Sequence, residues 1–267
     1  MSWIFRMRAL ACVAGLAAPV ASPAMWPAVS SARADEIHQD GPTTLAIFYR
    51  AKPADRPAFR RYLLDRELDR LAAWKKGGVL KNYQILYNPY VDSQTWDAAA
   101  LLEFPSYAQV GQWQAIEQTA PGGLDAAGLA LARPVQTYSL DLRWTEGGGD
   151  PNRGIYYIIN YTVGNDENWK KWDVSFKGYG LPQMHGWIRD KALISYRMYT
   201  NRYDSGDRWD ELLLLQYRDL AALGQRDAEM AKVRAELARD PNFKPLIDHV
   251  HAFHTEGNDV LGVPLVK

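Results

Sequence analysis

The sequence predicts an α+β protein built from two copies of one βαββαβ unit. The first observation is an internal repeat, because "TWDAAALLEFPSYAQVGQ" (95–112) aligns without a gap with "RWDELLLLQYRDLAALGQ" (208–225) at a spacing of 113. The second is a polar, glycine-rich stretch between the copies, "TEGGGDPNRG". The third is that β-rich runs and helical runs follow each other in the same order in both copies. A repeat of this kind indicates duplicated modules.

The first copy opens with the strand "TTLAIFYR" and continues with the helix "DRPAFRRYLLDRELDRLAAWKK". Apolar residues recur at helical spacing in the second run, and Gly77-Gly78 ends it. Strands are predicted at "KNYQILYNPYV" and "WDAAALLEF", a second helix near Ser106, and a last strand at "PVQTYSLDLRW". The order of elements is therefore βαββαβ.

The second copy repeats this order. "GIYYIINYTV" predicts a strand, "NDENWKKWDVSF" a helix, and "ALISYRMYTNRY" with "WDELLLLQY" a hairpin. Asp219 is the expected N-cap of a helix through "AEMAKVRAEL", and "HVHAFH" is expected to begin the final strand.

A βαββαβ unit is the ferredoxin-like, or split βαβ, module. Its helices cover one face of the sheet, so the other face must be buried against something, and a second copy offers a second sheet. We expect a first module over 42–144, a linker over 145–153 and a second module over 154–267, packed sheet to sheet.

Two such modules in one chain resemble the dimeric α/β-barrel superfamily as a tandem fusion. The resemblance covers nearly all of the chain after residue 34 and rests on element order and on the duplicated Trp-Asp and Gly-Gln pairs at 96–97, 209–210, 111–112 and 224–225. Its members include cofactor-free monooxygenases of polyphenols, lactone isomerases, cyclases, and haem enzymes such as chlorite dismutases and dye-decolorising peroxidases. The resemblance implies a site between sheet and helices or inside the barrel, and it leaves the chemistry open.

The N-terminal residues 1–34 predict a secretory signal peptide. A basic start ("MSWIFRMR") precedes the apolar run "ALACVAGLAAPVA" and an A-x-A site that ends at Ala34. That run is shorter than the ~20 residues of a membrane span. Cleavage is expected after Ala34, with Ala24 as the alternative, and Cys12 lacks the context of a lipid-anchored cysteine. We therefore expect a periplasmic or secreted protein.

Charge and cysteine content exclude several classes of protein. Residues 1–34 contain three arginines and no acid, so the remaining chain has a net charge of −3 and no electrostatic signature of nucleic-acid binding. The one cysteine lies there too, so neither disulfides nor a thiol nucleophile is expected. No second apolar run is long enough to cross a membrane, and no phosphate-binding loop or serine-hydrolase motif is present.

Three of the five histidines lie together in "HVHAFHTEG", as His249, His251 and His254. On a strand His249 and His251 would share a face, about 6.6 Å apart, and could bind one Zn²⁺ or Cu²⁺ with a third ligand such as His185. His254 would face the opposite way. A haem would need an axial histidine, for which His185 in "GYGLPQMHGW" is the candidate. The alternative in each case is a structural role.

Asn160 is the strongly polar residue of the strand "IYYIINY". Strand alternation places Asn160 and Tyr156 on one face, and Tyr157 and Tyr161 on the other. In the layout that the resemblance implies, a polar residue on a first strand faces the barrel interior, where Asn160 could orient a substrate carbonyl or hydroxyl. The alternative is a satisfied buried amide.

A ligand pocket is expected to use Tyr156, Tyr196, His185 and Trp187. By contrast, Trp96 and Trp209, which both copies share, are expected to close the hydrophobic core of each module. Asp97 and Asp210 are expected to be strand-end residues.

Three functional hypotheses follow, ranked in this order. The first is an exported protein that binds a small apolar or aromatic molecule, as a cofactor-free oxygenase, isomerase or cyclase that uses His251, His254 and Asn160. The second is a non-catalytic binding module, whose pocket would lack titratable groups and exclude the histidines. The third is a metal or haem protein. The expected partner is a small-molecule ligand, and the expected assembly is a monomer with a pseudo-twofold barrel or a homodimer.

Overall fold

The structure is a computed structural model that describes residues 43–92, 94–203, 209–249 and 252–267. In that part of the chain eight strands close into one antiparallel barrel, and helices pack on its outside. The α+β class is therefore confirmed. The expected signal peptide lies outside the described residues. No helix in the described ranges is both long and apolar enough to span a membrane.

The first half of the barrel contains four strands and four helices. They are β1 (Thr44–Ala51), α1 (Arg56–Tyr62), α2 (Leu68–Lys76), β2 (Asn82–Tyr87), β3 (Ala98–Glu103), α3 (Tyr107–Glu117), α4 (Ala126–Leu131) and β4 (Ala132–Gly147).

The second half contains four strands and five helices. They are β5 (Ile155–Thr162), α5 (Asp166–Ser175), α6 (Leu181–Arg189), β6 (Ser195–Asn201), β7 (Glu211–Tyr217), α7 (Leu220–Gly224), α8 (Arg226–Leu237), α9 (Phe243–His249) and β8 (Thr255–Pro264).

Strand order is the same in both halves. The first half runs β4-β1-β3-β2 and the second runs β8-β5-β7-β6, with every neighbouring pair antiparallel. Two pairings between the halves, β2 with β8 and β4 with β6, close the barrel. A closed barrel leaves no unpaired strand edge.

The repeat extends into helix geometry. A π-helical turn at Leu63–Glu67 joins α1 to α2, and another at Phe176–Gly180 joins α5 to α6, again at a spacing of 113. A side-chain cap begins α3, because Ser106 accepts a hydrogen bond from the amide of Ala108. Asp219 is an N-cap, as predicted, because its carboxylate accepts from the amide of Ala222 at 2.7 Å. The helix that it caps is the short α7, whereas "AEMAKVRAEL" lies in the separate helix α8.

Alternate strand residues divide between the inside and the outside of the barrel. On β5, Tyr156 and Ile158 belong to the interior cluster, whereas Ile159 and Tyr161 pack on the outer face against the α5–α6 region. Asn160 lines an interior cavity. The predicted division of β5 into two faces is therefore confirmed.

The segment between the halves is shorter than expected and covers one end of the barrel. β4 continues to Gly147, so residues 145–147 of the predicted linker belong to a strand. Beyond them, the carbonyl of Pro151 accepts hydrogen bonds from Tyr156 (2.8 Å) and from the side-chain amide of Gln84, which belong to opposite halves of the barrel.

The prediction that "HVHAFH" begins the last strand is wrong. Phe243–His249 forms α9, and β8 begins only at Thr255. The cause is local, because Asp240 accepts hydrogen bonds from the amides of Asn242 and Phe243 and starts a helix there. Phe243 anchors that helix by packing against Tyr179, with ring centroids 5.3 Å apart. The strand spacing that was expected to pair His249 with His251 therefore does not apply.

Of two neighbouring glycines at the end of β4, only the first should lose stability when it is replaced by alanine. Gly147 has φ +85° and an added Cβ would lie 2.2 Å from the carbonyl oxygen of Ile194, whereas a Cβ on Gly148 meets nothing within 4 Å. Gly147→Ala is expected to lower the free energy of unfolding by about 2 kcal/mol or more, and Gly148→Ala to change it by less than about 0.5 kcal/mol. Urea denaturation of both variants measures this, and equal effects would contradict it.

Candidate functional site

A cavity of about 470 Å³ opens at one end of the barrel, which we call the barrel-end cavity. It lies where β1 and β5 end and where β4, β7 and β8 begin. Its apolar and aromatic walls are Phe48, Trp96, Val135, Tyr138, Ile158, Trp209, Leu212 and Val260. Its polar walls are Arg50, Gln94, Thr95, Arg133, Gln136, Asn160, Thr162, Gly257 and Asn258.

Two β-bulges shape this cavity. The register of β5 against β8 shifts at Asn160, so that Gly257 and Asn258 lie opposite one residue, and the register of β1 against β4 shifts between Phe48 and Tyr49. A bulge bends a strand and redirects a side chain. The side-chain oxygen of Asn160 lies directly against Gly257, because a Cβ on that glycine would be 1.8 Å from it. Because Gly257 has no side chain, the side-chain amide of Asn160 can occupy the space beside it.

Trp96 and Trp209 line the barrel-end cavity together, so the expectation that they close the separate module cores is wrong. Trp209 belongs to the interior cluster and lies 4.2 Å from Tyr138, and Trp96 lies 5.8 Å from Phe48, as ring-centroid distances. Equivalent residues of the two halves therefore line one and the same cavity. This was a signal that the repeat offered and that sequence reasoning missed.

Asp97 and Asp210 are strand-end residues, as predicted. Asp97 accepts a hydrogen bond from the amide of Ala51 at 2.7 Å, and Asp210 accepts from the amide of Val163 at 2.6 Å. Each carboxylate therefore fixes the chain just after the first strand of its half and so holds the rim of the cavity. Asp97 also forms a buried ion pair with Arg56.

A smaller pocket of about 90 Å³ lies in the second half between the outer sheet face and the helices. We call it the sheet–helix pocket. The imidazole of His254 is buried in the wall of this pocket. Its ring centroid lies 4.3 Å from that of Trp172 and 5.3 Å from that of Tyr161. Trp187 lines the same pocket.

Behind Trp172 lies a buried carboxyl group, Glu211, that the sequence interpretation did not single out. Its oxygens accept hydrogen bonds from the indole of Trp172 at 2.5 Å and from Arg143 at 2.8 Å. Arg143 reaches it from a β-bulge in β4 and also pairs with Asp173. Burial raises the pKa of Glu211 to about 7, and Arg143 and Trp172 oppose that rise. A carboxyl with such a pKa can take up or release a proton near neutrality.

The predicted site residues do not converge. Asn160 lies in the barrel-end cavity, whereas His254 and Trp187 lie in the sheet–helix pocket on the opposite face of β5. Tyr156 is directed to the other end of the barrel, where its hydroxyl donates a hydrogen bond to the carbonyl of Pro151. An Asn160–His254 pair acting on one substrate atom is therefore excluded by position.

His185 and Tyr196 belong to neither cavity. The Nε2 atom of His185 lies 2.6 Å from a carboxylate oxygen of Glu146, and Tyr196 is opposite Glu146 in the β4–β6 register. Burial, and then the charge of Glu146, raises the pKa of Tyr196 well above its usual range. His251 lies outside the described residues, as does the side chain of His249, so the predicted roles of both remain predictions.

The residues described here do not fit a haem. The histidine that lines a cavity, His254, faces a space of about 90 Å³, well below the roughly 300 Å³ lower limit of drug-sized ligand sites. The described walls of the larger barrel-end cavity contain no histidine, cysteine or methionine to act as an axial ligand. Nor do three or more histidine, cysteine or acidic side chains converge on a metal position anywhere in the described ranges.

Comparison with known proteins identifies the fold. No family model and no curated protein matches the sequence. Among solved structures, an anthrone oxidase-like protein aligns with a TM-score of 0.54 at 9% identity, covering 87% of this chain and 94% of the other. A Fusobacterium nucleatum protein named as a candidate monooxygenase gives 0.53 at 11% identity, covering 85% and 93%. Chlorite dismutase from Candidatus Nitrospira defluvii gives 0.51 at 8%, covering 86% and 93%.

The chain has the dimeric α/β-barrel fold. Identities of this size establish the shared fold and nothing about substrate or chemistry. In this dimeric α/β barrel all eight described strands come from a single chain. The function of this chain must therefore come from the chemistry of its own cavities.

The raised pKa of Glu211 predicts a pH dependence of stability. Because the folded state holds the proton more tightly, the stabilisation is complete below about pH 4.5 and is lost as the pH rises through about 7. The free energy of unfolding should fall across this window by at most about 3 kcal/mol from this group. Glu211→Gln should remove that part of the slope, as measured by urea denaturation at pH 4.5 to 7.

Glu67 provides the matched comparison, because burial raises its pKa to about 7 as well. Each single variant, Glu211→Gln or Glu67→Gln, should keep part of the slope, and the double variant should lose most of it. A wild-type slope in Glu211→Gln would show that this carboxyl ionises normally.

Proposed function

We propose that this chain binds a small, largely aromatic molecule in the barrel-end cavity. The observation that carries the proposal is a cavity of about 470 Å³, within the roughly 300–1,000 Å³ range of small-molecule sites, with Phe48, Trp96, Tyr138 and Trp209 in its walls. Aromatic walls favour a flat ligand through stacking and edge contacts. Asn160 supplies a donor and an acceptor inside the barrel, which suits a ligand hydroxyl or carbonyl.

The chemistry of this cavity favours binding over proton transfer. Its described walls contain arginine, amide, hydroxyl and aromatic groups, and no histidine, aspartate or glutamate. A general base needs a group whose pKa lies near the working pH, and among the described wall residues no such group is present. The non-catalytic binding hypothesis anticipated this combination, a pocket without the histidines.

A second candidate function is acid–base catalysis of the cofactor-free oxygenase, isomerase or cyclase type at the sheet–helix pocket. The observation that favours it is the row of side chains Glu211, Trp172 and His254. In this row a carboxyl with a pKa of about 7 is separated from a buried imidazole by one indole ring. The pocket of about 90 Å³ is smaller than the roughly 150 Å³ in which benzene binds, so an aromatic substrate would require movement of its walls.

We further propose that the chain is a fusion of two ferredoxin-like modules and that it is exported. The repeat spacing of 113 and the equal strand order of the two halves support the fusion. The basic and apolar N-terminal pattern supports export. Mass spectrometry of the protein from its native compartment would show the loss of residues 1–34.

Binding of 2-naphthol and naphthalene tests the barrel-end cavity against the sheet–helix pocket. Trp209→Ala should weaken both ligands at least tenfold, about 1.4 kcal/mol, because it removes an aromatic wall. Asn160→Leu should weaken 2-naphthol while naphthalene binds as before, because only the hydroxyl loses its partner. Isothermal titration calorimetry measures each affinity.

His254→Gln is the matched control in the other pocket and should bind both ligands as the wild type does. Weaker binding in His254→Gln with unchanged binding in Trp209→Ala would place the ligand in the sheet–helix pocket and overturn the proposal. Oxygen uptake with a polyphenol that is lost in His254→Gln and kept in Trp209→Ala would establish the second candidate instead.

A further inference from the structure

The end of the barrel opposite the barrel-end cavity contains a half-buried arginine, Arg197, beside a small pocket. The pocket measures about 30 Å³ and includes Arg197 and Tyr199 of β6, Gln84 of β2, Glu103 of β3 and Pro151 in its walls. We call it the closed-end pocket, because the segment between the halves covers it at Pro151. Arg197 and Tyr199 are two residues apart on one strand, so their side chains share the interior face.

The guanidinium of Arg197 forms its hydrogen bonds with neutral groups. It donates to the side-chain oxygen of Gln84 at 2.5 Å and to the hydroxyl of Tyr199 at 3.4 Å, and it lies over the ring of Tyr156 at 5.6 Å. No carboxylate among the described residues forms an ion pair with it. A partly desolvated charge without a counter-charge is unfavourable, and hydrogen bonds to neutral groups offset that cost only in part.

The nearby groups point to an anion as the missing counter-charge. The hydroxyl of Tyr199 accepts from Arg197, and no described group accepts the hydrogen of Tyr199, so it can be donated into the pocket. The acid in the wall, Glu103, is bound to Lys81 at 2.5 Å, and its charge is thereby offset on the solvent side. Two donors, one of them cationic, therefore face one small space.

We propose that the closed-end pocket binds a small monovalent inorganic anion of the size of chloride, held by Arg197 and Tyr199. A volume of about 30 Å³ accommodates one or two water-sized centres, which matches an ion of the size of chloride. The site needs both halves of the chain, because Gln84 holds Arg197 from the first half. These two residues are repeat equivalents, 113 apart, so the site lies where the halves meet.

Thermal unfolding in sodium chloride and in sodium gluconate at equal ionic strength tests the proposal. The midpoint of wild-type unfolding should rise with chloride concentration relative to gluconate, because a ligand that binds the folded state stabilises it by mass action. Arg197→Gln should remove the difference between the two salts, and Tyr199→Phe should shift the chloride response to higher concentration.

Arg202→Gln is the matched control, because Arg202 already pairs with Asp141 at 2.5 Å and should keep the chloride response. Should Arg197→Gln fail to fold, a bromide-soaked crystal of the wild type decides by anomalous scattering. A bromide peak within contact of the guanidinium of Arg197 supports the site. Equal unfolding midpoints in both salts, or bromide density without a peak at Arg197, would overturn it.

Discussion

Closure of eight strands into one barrel is the constraint on which the rest of this structure depends. Each half offers a four-stranded sheet whose inner face is apolar, and the two inner faces bury each other when the sheet closes. The two strand pairings that close the barrel differ in length. β4 and β6 pair from Leu140 to Gly147, whereas β2 meets β8 only at Leu86 and Tyr87. The outer faces are left to the helices, which bury them in two separate clusters.

Closure also makes the two ends of the barrel different. At one end the strands of both halves finish in bulges and in the loops that carry Trp96 and Trp209, and a cavity remains between them. At the other end the chain must cross from β4 to β5, and the crossing segment covers the opening by binding Gln84 and Tyr156. One connection in the sequence therefore determines which end can admit an organic ligand.

The repeat allowed much of this fold to be predicted, because a spacing of 113 gives the same order of elements in both halves, and strand alternation gives the faces of β5. It could not predict the bulges, since one extra residue such as Val135 changes the register without changing the hydrophobic pattern. The repeat order predicts the closing strand at "HVHAFH", but the turn at Asp240 starts a helix that continues to His249. The prediction for Trp96 and Trp209 is wrong for a different reason, because it assigns one tryptophan to the core of each half although both line one cavity.

Differences between equivalent positions carry the functional information. The buried alanine Ala98 of the first half corresponds to Glu211 in the second, and both are fully buried. An apolar residue is the simpler way to fill this buried position, because a buried ion pair such as Glu211–Arg143 adds little stability relative to a well-packed apolar side chain. The second half also needs a bulge in β4 to bring Arg143 within 2.8 Å of that carboxyl. The position that is apolar in one half therefore holds, in the other half, a carboxyl whose raised pKa permits proton exchange near neutrality, one indole away from the imidazole of His254.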